Sequence, residues 1–300
     1  MDDRLVPDGA RAEYLETRFG RIRILRGIQD QHDDAPKRGL PLVLIHGGGY
    51  DNASISWYYI YESRRRAHEV VGIDLPGAGG SVDAEPVGGP AQMAEVVSAV
   101  MDTLGIDRAA IYGCSMGGDV ALHLALARPE KVAALVLIGP GGLAPRVGGA
   151  LIHRMSWLMA RLPDWILMPM MRWASRFARY AQRLTLHDPS LLAPALVDEF
   201  IREAQHPRGG VAYLRYNQAT LGRSRLLNDL SDRVREIEAP TLFFHGARDR
   251  FVDPSGSARA HQSMPNARLV LVEDCGHWAQ LERPERFEEE TRAFLEGVGE

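Results

Sequence analysis

Cysteine is scarce in this chain, and long apolar runs are missing. Only two cysteines, Cys114 and Cys275, occur in 300 residues. Two cysteines cannot form a framework of several disulfides, and they exclude a zinc site built from cysteine pairs. Because no apolar run reaches the thickness of a bilayer, we predict no membrane span. The first residues are acidic and lack the apolar stretch of a secretory signal, so we expect a cytoplasmic protein.

Positive charge is not in excess either. The chain has 35 Lys and Arg against 39 Asp and Glu, which gives a net charge of −4. This balance argues against a nucleic-acid partner. Hydrophobic residues make up 45% of the chain and charged residues 25%, which is typical of a globular protein long enough to bury a large core.

Short, continuous apolar runs dominate what is present. Such runs are typical of strands buried on both faces of a parallel sheet. They are Leu42–Ile45, Val70–Ile73, Ala109–Tyr112, Val132–Ile138, Leu242–Phe244 and Leu269–Val272. The alternation from Tyr14 to Arg26 predicts an additional hairpin that turns at Gly20. Helical patterns lie between the runs, the strongest ending at Leu104 before Gly105. Strands that alternate with helices predict a doubly wound α/β domain.

The alternation stops after Ile138. Residues 141–228 have a helical pattern without a clear strand, and they hold five of the ten Met and three of the five Trp. We predict a helical cap over 141–228, inserted between core segments 1–140 and 229–300. Its Met and Trp residues suit an apolar pocket wall, although they could equally form the core of the cap itself. The candidate pocket residues are Gly49, Trp157, Trp173 and Trp278.

The segment Gly113–Gly118 carries the strongest chemical signal. It reads Gly-Cys-Ser-Met-Gly-Gly, follows the run Ala109–Tyr112 and begins a helix predicted to end near Ala127. G-x-S-x-G between a strand and a helix is typical of a nucleophile elbow. Glycine is needed two residues before and after the serine because the tight turn leaves no room for side chains there. We predict that Ser115 is the nucleophile.

A serine hydroxyl needs a base, and in this motif the acid and the histidine follow the serine in the chain. His277 lies in the loop after the apolar run Leu269–Val272, where a base is expected at the end of a strand. His261 falls within a predicted helix, Pro254–Met264, and is expected at the surface. We therefore predict that His277 is the base.

Two aspartates compete for the acid that orients the base. Asp253 directly precedes Pro254, which suits the first position of a helix, so Asp253 is a natural N-cap. Asp249 is then free to bind the imidazole and fix its tautomer. The strand that ends at Ile138 is followed by Gly139-Pro140 and no carboxylate. We predict that Asp249 is the acid.

The segment His46–Gly49 predicts an oxyanion hole. It follows the run Leu42–Ile45, and glycines allow the backbone to approach a substrate carbonyl closely. The backbone N–H groups of Gly48 and Met116 are the predicted pair of donors. His46 is expected to support the loop rather than to act in catalysis.

Together these segments resemble the bacterial α/β-hydrolases over nearly the whole chain. The matching segments are His46–Gly49, Asp74–Ser81, Gly113–Gly118, His245–Asp249 and Gly276-His277. The resemblance implies an α/β-hydrolase fold, with a mostly parallel eight-stranded sheet, helices on both faces and an inserted helical cap. It also implies that Asp74–Ser81 shapes a loop beside the core and is not catalytic.

Three segments are similar to hydrolases that cleave carbon–carbon bonds in meta-cleavage products of aromatic degradation. They are the triple glycine at 47–49, Gly139–Leu143 and Cys275–Gln280. Tyr50-Asp51 stands where that group usually has Pro-Gly, and Cys114 stands where it usually has Asn. Carboxylesterases share the remaining features. A serine nucleophile excludes epoxide hydrolases and haloalkane dehalogenases, which use Asp there.

We therefore expect a serine hydrolase that cleaves carboxylic esters of fairly apolar substrates through an acyl-enzyme intermediate. Cleavage of a carbon–carbon bond in a meta-cleavage product is the alternative. Lactonase, thioesterase and perhydrolase reactions stay open, as does a receptor-like member of the fold with little turnover. The expected partner is a small molecule, with no cofactor and no metal. The oligomeric state is left open, with a homodimer as one option.

Overall fold

A sheet of eight strands forms the centre of the computed structural model, which describes residues 4–28 and 39–298. The strands β1 to β8 are Ala10–Thr17, Gly20–Gly27, Leu42–Ile45, Val70–Ile73, Ala109–Cys114, Val132–Ile138, Thr241–Gly246 and Ala267–Val272. Their order across the sheet is β1-β2-β4-β3-β5-β6-β7-β8. Strand β2 runs antiparallel to β1 and β4, and all other neighbours are parallel. The predicted mostly parallel, eight-stranded sheet is confirmed.

Helices follow most of the strands. In the described residues, α1 to α12 are Ala53–Ser56, Ile60–Arg64, Pro90–Leu104, Met116–Ala127, Ala150–Ala160, Asp164–Ala174, Ala178–Leu184, Pro194–Gln205, Val211–Thr220, Ser255–Ser263, Ala279–Glu282 and Pro284–Val298. Helix α3 is followed by Gly105, whose φ of +69° is as expected for a left-handed residue that closes a helix. None of these helices is long and apolar enough to cross a bilayer.

Two apolar clusters cover the two faces of the sheet. Neighbouring residues of β3 point in opposite directions because side chains alternate along a strand. Val43 therefore joins one cluster, with Met93 of α3. Leu44 joins the other, with Phe287 of α12. This burial on both faces explains why the strands appear in the sequence as continuous apolar runs.

The cap segment, residues 141–228, lies between β6 and β7. It contains α5 to α9 and, as the structure describes it, no strand beyond an isolated bridge between Leu221 and Leu226. Helix α8 packs Leu196 and Phe200 into the second apolar cluster. Helix α6, in contrast, buries only Leu167. The cap segment is therefore anchored through its later helices, α8 and α9, while α5 and α6 are largely open to solvent.

The loop that begins at Asp74 is built around a buried ion pair. Arg23 Nη1 donates to Asp74 Oδ2 at 3.0 Å, and both side chains are fully buried. The same carboxylate accepts the backbone N–H groups of Ala53 and Gly80. A buried charge needs such partners, so this aspartate holds the loop beside the core.

Candidate active site

Ser115 occupies the turn between β5 and α4. Its backbone has a φ of 53° and a ψ of −114°, which is a costly conformation for a residue other than glycine. A Cβ on Gly113 would lie 2.4 Å from the Gly117 carbonyl oxygen, and one on Gly117 would lie 2.2 Å from that of Ile45. The neighbouring backbone therefore allows only glycine at these two positions. The N–H of Ser115 donates to Ile138 O at 2.8 Å.

Asp249 and His277 form a short hydrogen bond. His277 Nδ1 lies 2.6 Å from Asp249 Oδ2, and the aspartate side chain is fully buried. The other carboxylate oxygen accepts the backbone N–H groups of Phe251 and Val252, at 2.8 and 3.0 Å. Since a carboxylate only accepts, His277 carries its proton on Nδ1 in the neutral state. Its Nε2 then keeps the lone pair that a base requires.

The charge of Asp249 is stabilised in this setting. Burial by itself would raise the pKa of the carboxyl group. Hydrogen bonds from His245 and His277, the charge of His277 and the N–H of Val252 outweigh burial and lower the pKa well below its ordinary value. The carboxylate is therefore ionised at neutral pH, as the residue that orients a catalytic imidazole must be.

Ser115, Asp249 and His277 lie in the loops after β5, β7 and β8, at one edge of the sheet. The backbone of Gly139, after β6, packs against the acid and the histidine. A Cβ there would lie 3.0 Å from Asp249 Oδ2 and 3.2 Å from His277 Nδ1. Within the described ranges no hydrogen bond joins Ser115 to His277. Catalytic hydrogen bonds are often long before substrate binds.

Asp253, the competing aspartate, lies at the start of α10. Its Oδ1 accepts the N–H of Ser255 at 2.8 Å. The helix begins at Ser255, one residue later than predicted. Asp253 thus stabilises the first turn, and its side chain makes no hydrogen bond to His277 in the part of the chain that is described.

His245 is a residue of the site that the sequence analysis did not select. It is fully buried at the end of β7, and its Nε2 lies 3.1 Å from both Asp249 Oδ2 and Val252 O. Both of these atoms are acceptors, so Nε2 carries the proton. Its Nδ1 lies 2.8 Å from Ser257 Oγ and accepts from that hydroxyl. The spacing of four residues from Asp249 was the available signal, but spacing alone does not show which way a strand residue points.

Glu282 holds the loop that carries His277. Its Oε1 accepts from Gly276 N at 2.7 Å, and its Oε2 accepts from His187 N at 3.0 Å. The N–H of His277 donates to Thr185 O at 2.7 Å. The loop of the histidine is therefore tied directly to the cap segment. Burial raises the pKa of Glu282, and the N–H donors partly offset that rise.

The loop at His46–Gly49 is fixed by its polar side chains. His46 Nδ1 donates to Gly47 O at 2.7 Å, and its Nε2 accepts from Leu75 N at 3.1 Å. Asp51 accepts the N–H of Gly47 at 2.9 Å, so that donor is already used. In the described residues no hydrogen bond uses the N–H of Gly48 or of Met116. These two donors are available to a ligand.

Tyr213 of α9 covers Gly48. A Cβ on Gly48 would lie 2.3 Å from Cδ2 of the tyrosine ring. The ring stacks on Tyr216 with a centroid distance of 5.9 Å, and Tyr216 Oη donates to the buried carboxylate of Asp119 at 2.6 Å. The cap segment is therefore in direct contact with the predicted oxyanion loop, through residues that no local motif indicates.

A cavity of about 640 Å³ lies beside Ser115. Its wall includes Met116, the start of the cap segment, one side of α9 and the loop that follows Asp249. Arg146 and Arg250 line it, and neither guanidinium forms an ion pair with a described residue. The wall is therefore partly apolar, and it carries the two arginines together with the carboxylates of Asp249 and Asp253.

The four residues predicted to line the pocket lie outside this wall. They are Gly49, Trp157, Trp173 and Trp278. Trp173 is 62% exposed, whereas Trp278 is buried and packs edge-on against Phe200 at 5.8 Å. A Cβ on Gly49 would meet nothing within 4 Å. We therefore assign none of the four to the cavity wall.

Most of the chain matches a known family. Residues 41–284 match the family model described as alpha/beta hydrolase fold. The chain belongs to the α/β-hydrolase fold family. The predicted resemblance and fold class are thereby confirmed, and this α/β-hydrolase can be compared with individual relatives.

Two relatives carry names of dienoate hydrolases. A 2-hydroxy-6-oxononadienedioate/2-hydroxy-6-oxononatrienedioate hydrolase of Paraburkholderia phymatum is 32% identical over 283 residues, 91% of this chain and 94% of that protein. A 2-hydroxy-6-oxo-6-phenylhexa-2,4-dienoate hydrolase of Burkholderia cepacia is 31% identical over 271 residues, 86% of this chain and 88% of that protein.

A solved structure shows the same fold as this α/β-hydrolase. The 2-hydroxy-6-oxo-6-phenylhexa-2,4-dienoate hydrolase of Rhodococcus sp. strain RHA1 superposes with a TM-score of 0.71 at 24% identity. The match covers 95% of this chain and 100% of that one. The shared fold therefore extends over the cap segment as well as the core.

Proposed function

We propose that this α/β-hydrolase cleaves a carbon–carbon bond beside a ketone in a dienoate of the meta-cleavage type. The observation that carries this proposal is the similarity to dienoate hydrolases, at 32% identity over 91% of the chain. The motifs considered alone favour esters. The relatives favour carbon–carbon cleavage over ester cleavage, because their similarity to this chain extends through the cap segment as well as the motifs.

Ser115, His277 and Asp249 act as a triad in this proposal. Ser115 Oγ attacks the ketone carbon while His277 Nε2 takes its proton. The bond between that carbon and its neighbour then breaks. For this to happen the substrate reacts as its keto tautomer, in which the proton of the 2-hydroxyl group has moved to the carbon beside the ketone. The electron pair of the broken bond then enters the conjugated enone as a dienolate, and His277 returns its proton to that dienolate. Water hydrolyses the remaining acyl-enzyme to a carboxylic acid and frees Ser115.

The negative charge that develops on the ketone oxygen needs fixed donors. The free N–H groups of Gly48 and Met116 would supply them, helped by the N-terminus of α4. Since Asp51 already accepts from Gly47, the loop presents its next donor, that of Gly48, to the ligand. This proposal keeps the predicted oxyanion pair.

The carboxylate of a dienoate needs a cation. Arg146 and Arg250 line the cavity without an ion-pair partner in the described residues. Either guanidinium can bind a carboxylate through two parallel hydrogen bonds. A cation there would also stabilise the electron pair that enters the conjugated system. The cavity thus combines an apolar wall with two guanidinium groups that can bind the carboxylate of the proposed substrate.

Ester hydrolysis is the second candidate. Cys114 and Tyr50-Asp51 stand at positions where the carbon–carbon hydrolases usually have Asn and Pro-Gly, and these departures favour an ester. The triad would act in the same way, except that the leaving group is an alcohol that takes the proton from His277.

Turnover of two substrates separates the candidates. A coloured dienoate should lose its absorbance on addition of the enzyme, faster than a p-nitrophenyl ester of similar size is cleaved. Ser115→Ala should abolish both reactions, and a fluorophosphonate should label the wild type at Ser115. Ester cleavage without dienoate turnover would establish the second candidate. Binding of either ligand without turnover would indicate a receptor-like protein.

An arginine variant tests recognition of the carboxylate. Arg250→Gln should raise KM for a dienoate by about tenfold, because a charged hydrogen bond is lost. It should leave KM for a neutral ester nearly unchanged. Arg223→Gln is the matched control, since that exposed arginine lies outside the cavity wall. Equal effects on both substrates would remove Arg250 from the proposal.

A further inference from the structure

Exposed apolar side chains are concentrated on one part of the cap segment. Twelve of the twenty exposed large apolar side chains among the described residues lie between Val147 and Leu184. They include Trp165 at 76% exposure and Tyr180 at 66%. Scattered exposed apolar residues are normal, but a concentration marks a contact surface. We call residues 147–184, which include α5, α6 and α7, the apolar cap face.

The helical spacing places these side chains in stripes. On α5, Leu151, Met155 and Leu158 follow at i, i+4 and i+7, which is one face of a helix. On the opposite side, α5 buries His153 and Ala160. Further along, Trp173 packs edge-on against Phe177 at 5.3 Å, although both side chains are more than half exposed. The apolar stripes therefore point away from the core.

The same region is rich in arginine. Residues 146–184 contain seven Arg, no Lys and one acidic residue, within a chain whose net charge is −4. That acidic residue, Asp164, is neutralised by Arg215 at 2.6 Å. Over the described ranges no ion pair involves six of these seven arginines, all except Arg179. The apolar cap face therefore carries a strong, uncompensated positive charge.

We propose that the apolar cap face binds the surface of a bilayer that contains anionic phospholipids. Helices that lie in a membrane interface combine Trp, Phe and Leu with Arg or Lys. The aromatic and aliphatic side chains would enter the boundary of the acyl chains. The arginines, on flexible stems, would reach the phosphate groups. This contact is peripheral, since no described helix is long enough to cross the bilayer.

A second copy of the chain fits this surface poorly. A twofold dimer brings the same patch of both subunits together. The unpaired arginines of one copy would then face those of the other, and like charges at an interface are unfavourable. An anionic lipid surface supplies the opposite charge. Charge complementarity therefore selects the bilayer as the occupant.

The apolar cap face adjoins the cavity beside Ser115. Val147 is 42% exposed and also lines that cavity. A molecule dissolved in the lipid boundary would thus meet the edge of the cavity without crossing bulk water. This inference is independent of whether the bond that breaks is carbon–carbon or ester, and it predicts that apolar substrates reach the enzyme from a membrane.

Vesicle sedimentation tests the proposal with the full chain. We expect binding to vesicles of phosphatidylcholine with a third of phosphatidylglycerol, and little binding to phosphatidylcholine alone. Binding should weaken as salt is added, because salt screens the attraction. Sedimentation velocity should show that the unbound protein does not cover this face with a second copy.

Variants of the apolar side chains distinguish insertion into the bilayer from nonspecific adsorption to vesicles. Trp165→Ser combined with Phe177→Ser and Tyr180→Ser should weaken the apparent partition coefficient by about tenfold or more. Leu227→Ser is the control, because Leu227 is 66% exposed but lies outside the apolar cap face. In the triple variant and in the control, the circular dichroism spectrum and the rate of hydrolysis of a water-soluble substrate should match those of the wild type.

Charge variants complete the test. Arg172→Gln, Arg176→Gln and Arg183→Gln together should also weaken binding by about tenfold or more. The control variant removes the same number of positive charges outside the apolar cap face, by replacing Arg108, Arg223 and Arg235 with Gln. It should bind nearly as the wild type does. Three results would overturn the proposal. The wild type would fail to bind the anionic vesicles at low salt, or the control variants would lose as much binding as the test variants. The third is a wild-type dimer that the apolar variant converts to a monomer.

Discussion

His245 Nε2 lies 3.1 Å from Oδ2 of Asp249, the same oxygen that His277 approaches at 2.6 Å. The acid therefore receives two imidazole N–H groups on one oxygen, and only one of these imidazoles can act as a base. His245 is fully buried and its Nδ1 is engaged by Ser257. We propose that His245 fixes the carboxylate of Asp249, which in turn orients His277, and so acts as a positioning residue.

The first prediction concerns His245. His245→Leu removes a hydrogen bond to a charged group, so kcat should fall about 10- to 100-fold while KM changes little. His245→Gln keeps an N–H donor on a side chain of similar reach, and it should recover most of that loss. Steady-state kinetics on one substrate measure both variants. A fall in thermal stability with unchanged kcat would reduce His245 to a structural residue.

The second prediction ranks the two aspartates. Asp249→Asn should lower kcat by about 10³- to 10⁴-fold, because the amide can no longer fix the imidazole tautomer. Asp253→Asn should leave kcat within about twofold, because Asn caps a helix about as well as Asp. Both variants replace one carboxylate oxygen with an amide NH₂ group, so each serves as the control for the other. The reverse ranking would move the acid to Asp253.

The third prediction concerns Gly48 and Tyr213. Gly48→Ala places a Cβ 2.3 Å from the tyrosine ring, so the loop must move. A displacement of about 1 Å at a catalytic donor can reduce kcat by about 100-fold. Adding Tyr213→Ala removes the clash, and the double variant should be more active than Gly48→Ala alone.

Its control is Gly297→Ala, where a Cβ would meet nothing within 4 Å and which should behave as the wild type. Circular dichroism should show that Gly48→Ala is folded. Wild-type kcat in Gly48→Ala, or no recovery in the double variant, would show that contact with Tyr213 does not position the loop.

Local patterns predict the core of this fold well. Three runs are strands with the predicted bounds, because strands buried on both faces must be apolar throughout; they are Leu42–Ile45, Val70–Ile73 and Val132–Ile138. Other strands extend past the predicted runs. Strand β7, for example, continues to Gly246 and so includes His245. His245 is a buried polar residue that is hydrogen-bonded to Asp249. A local run of apolar residues cannot anticipate such pairing.

The cap segment was harder to predict than the core. An amphipathic helix does not indicate whether its apolar side faces a core, a pocket or an external partner. Trp173, a predicted pocket residue, is 62% exposed, because Leu167 is the only side chain that α6 buries. The contact of Tyr213 with Gly48 joins residues far apart in the chain, so no local motif could reveal it.

The last prediction concerns pH and stability. Glu203 of α8 has a side chain only 6% exposed, 3.4 Å from Arg4. Burial raises the pKa of Glu203 to about 7, with a further rise from Asp74, and Arg4 opposes these effects only in part. The folded state thus holds this proton more tightly than the unfolded state does, where the pKa is near 4.5. The resulting stabilisation is complete below that lower value and is lost as pH rises through about 7.

Glu203→Gln should remove this pH dependence, because an amide stays neutral and can still accept from Arg4. Urea unfolding should show similar stability of variant and wild type near pH 4. Near pH 8 the variant should be more stable by up to about 3 kcal/mol, since one pKa unit corresponds to about 1.4 kcal/mol. Glu16→Gln is the control, because that side chain is 82% exposed and its loss should change stability little at either pH. A variant less stable than the wild type near pH 8 would mean that the ion pair with Arg4 outweighs the cost of burying the charge.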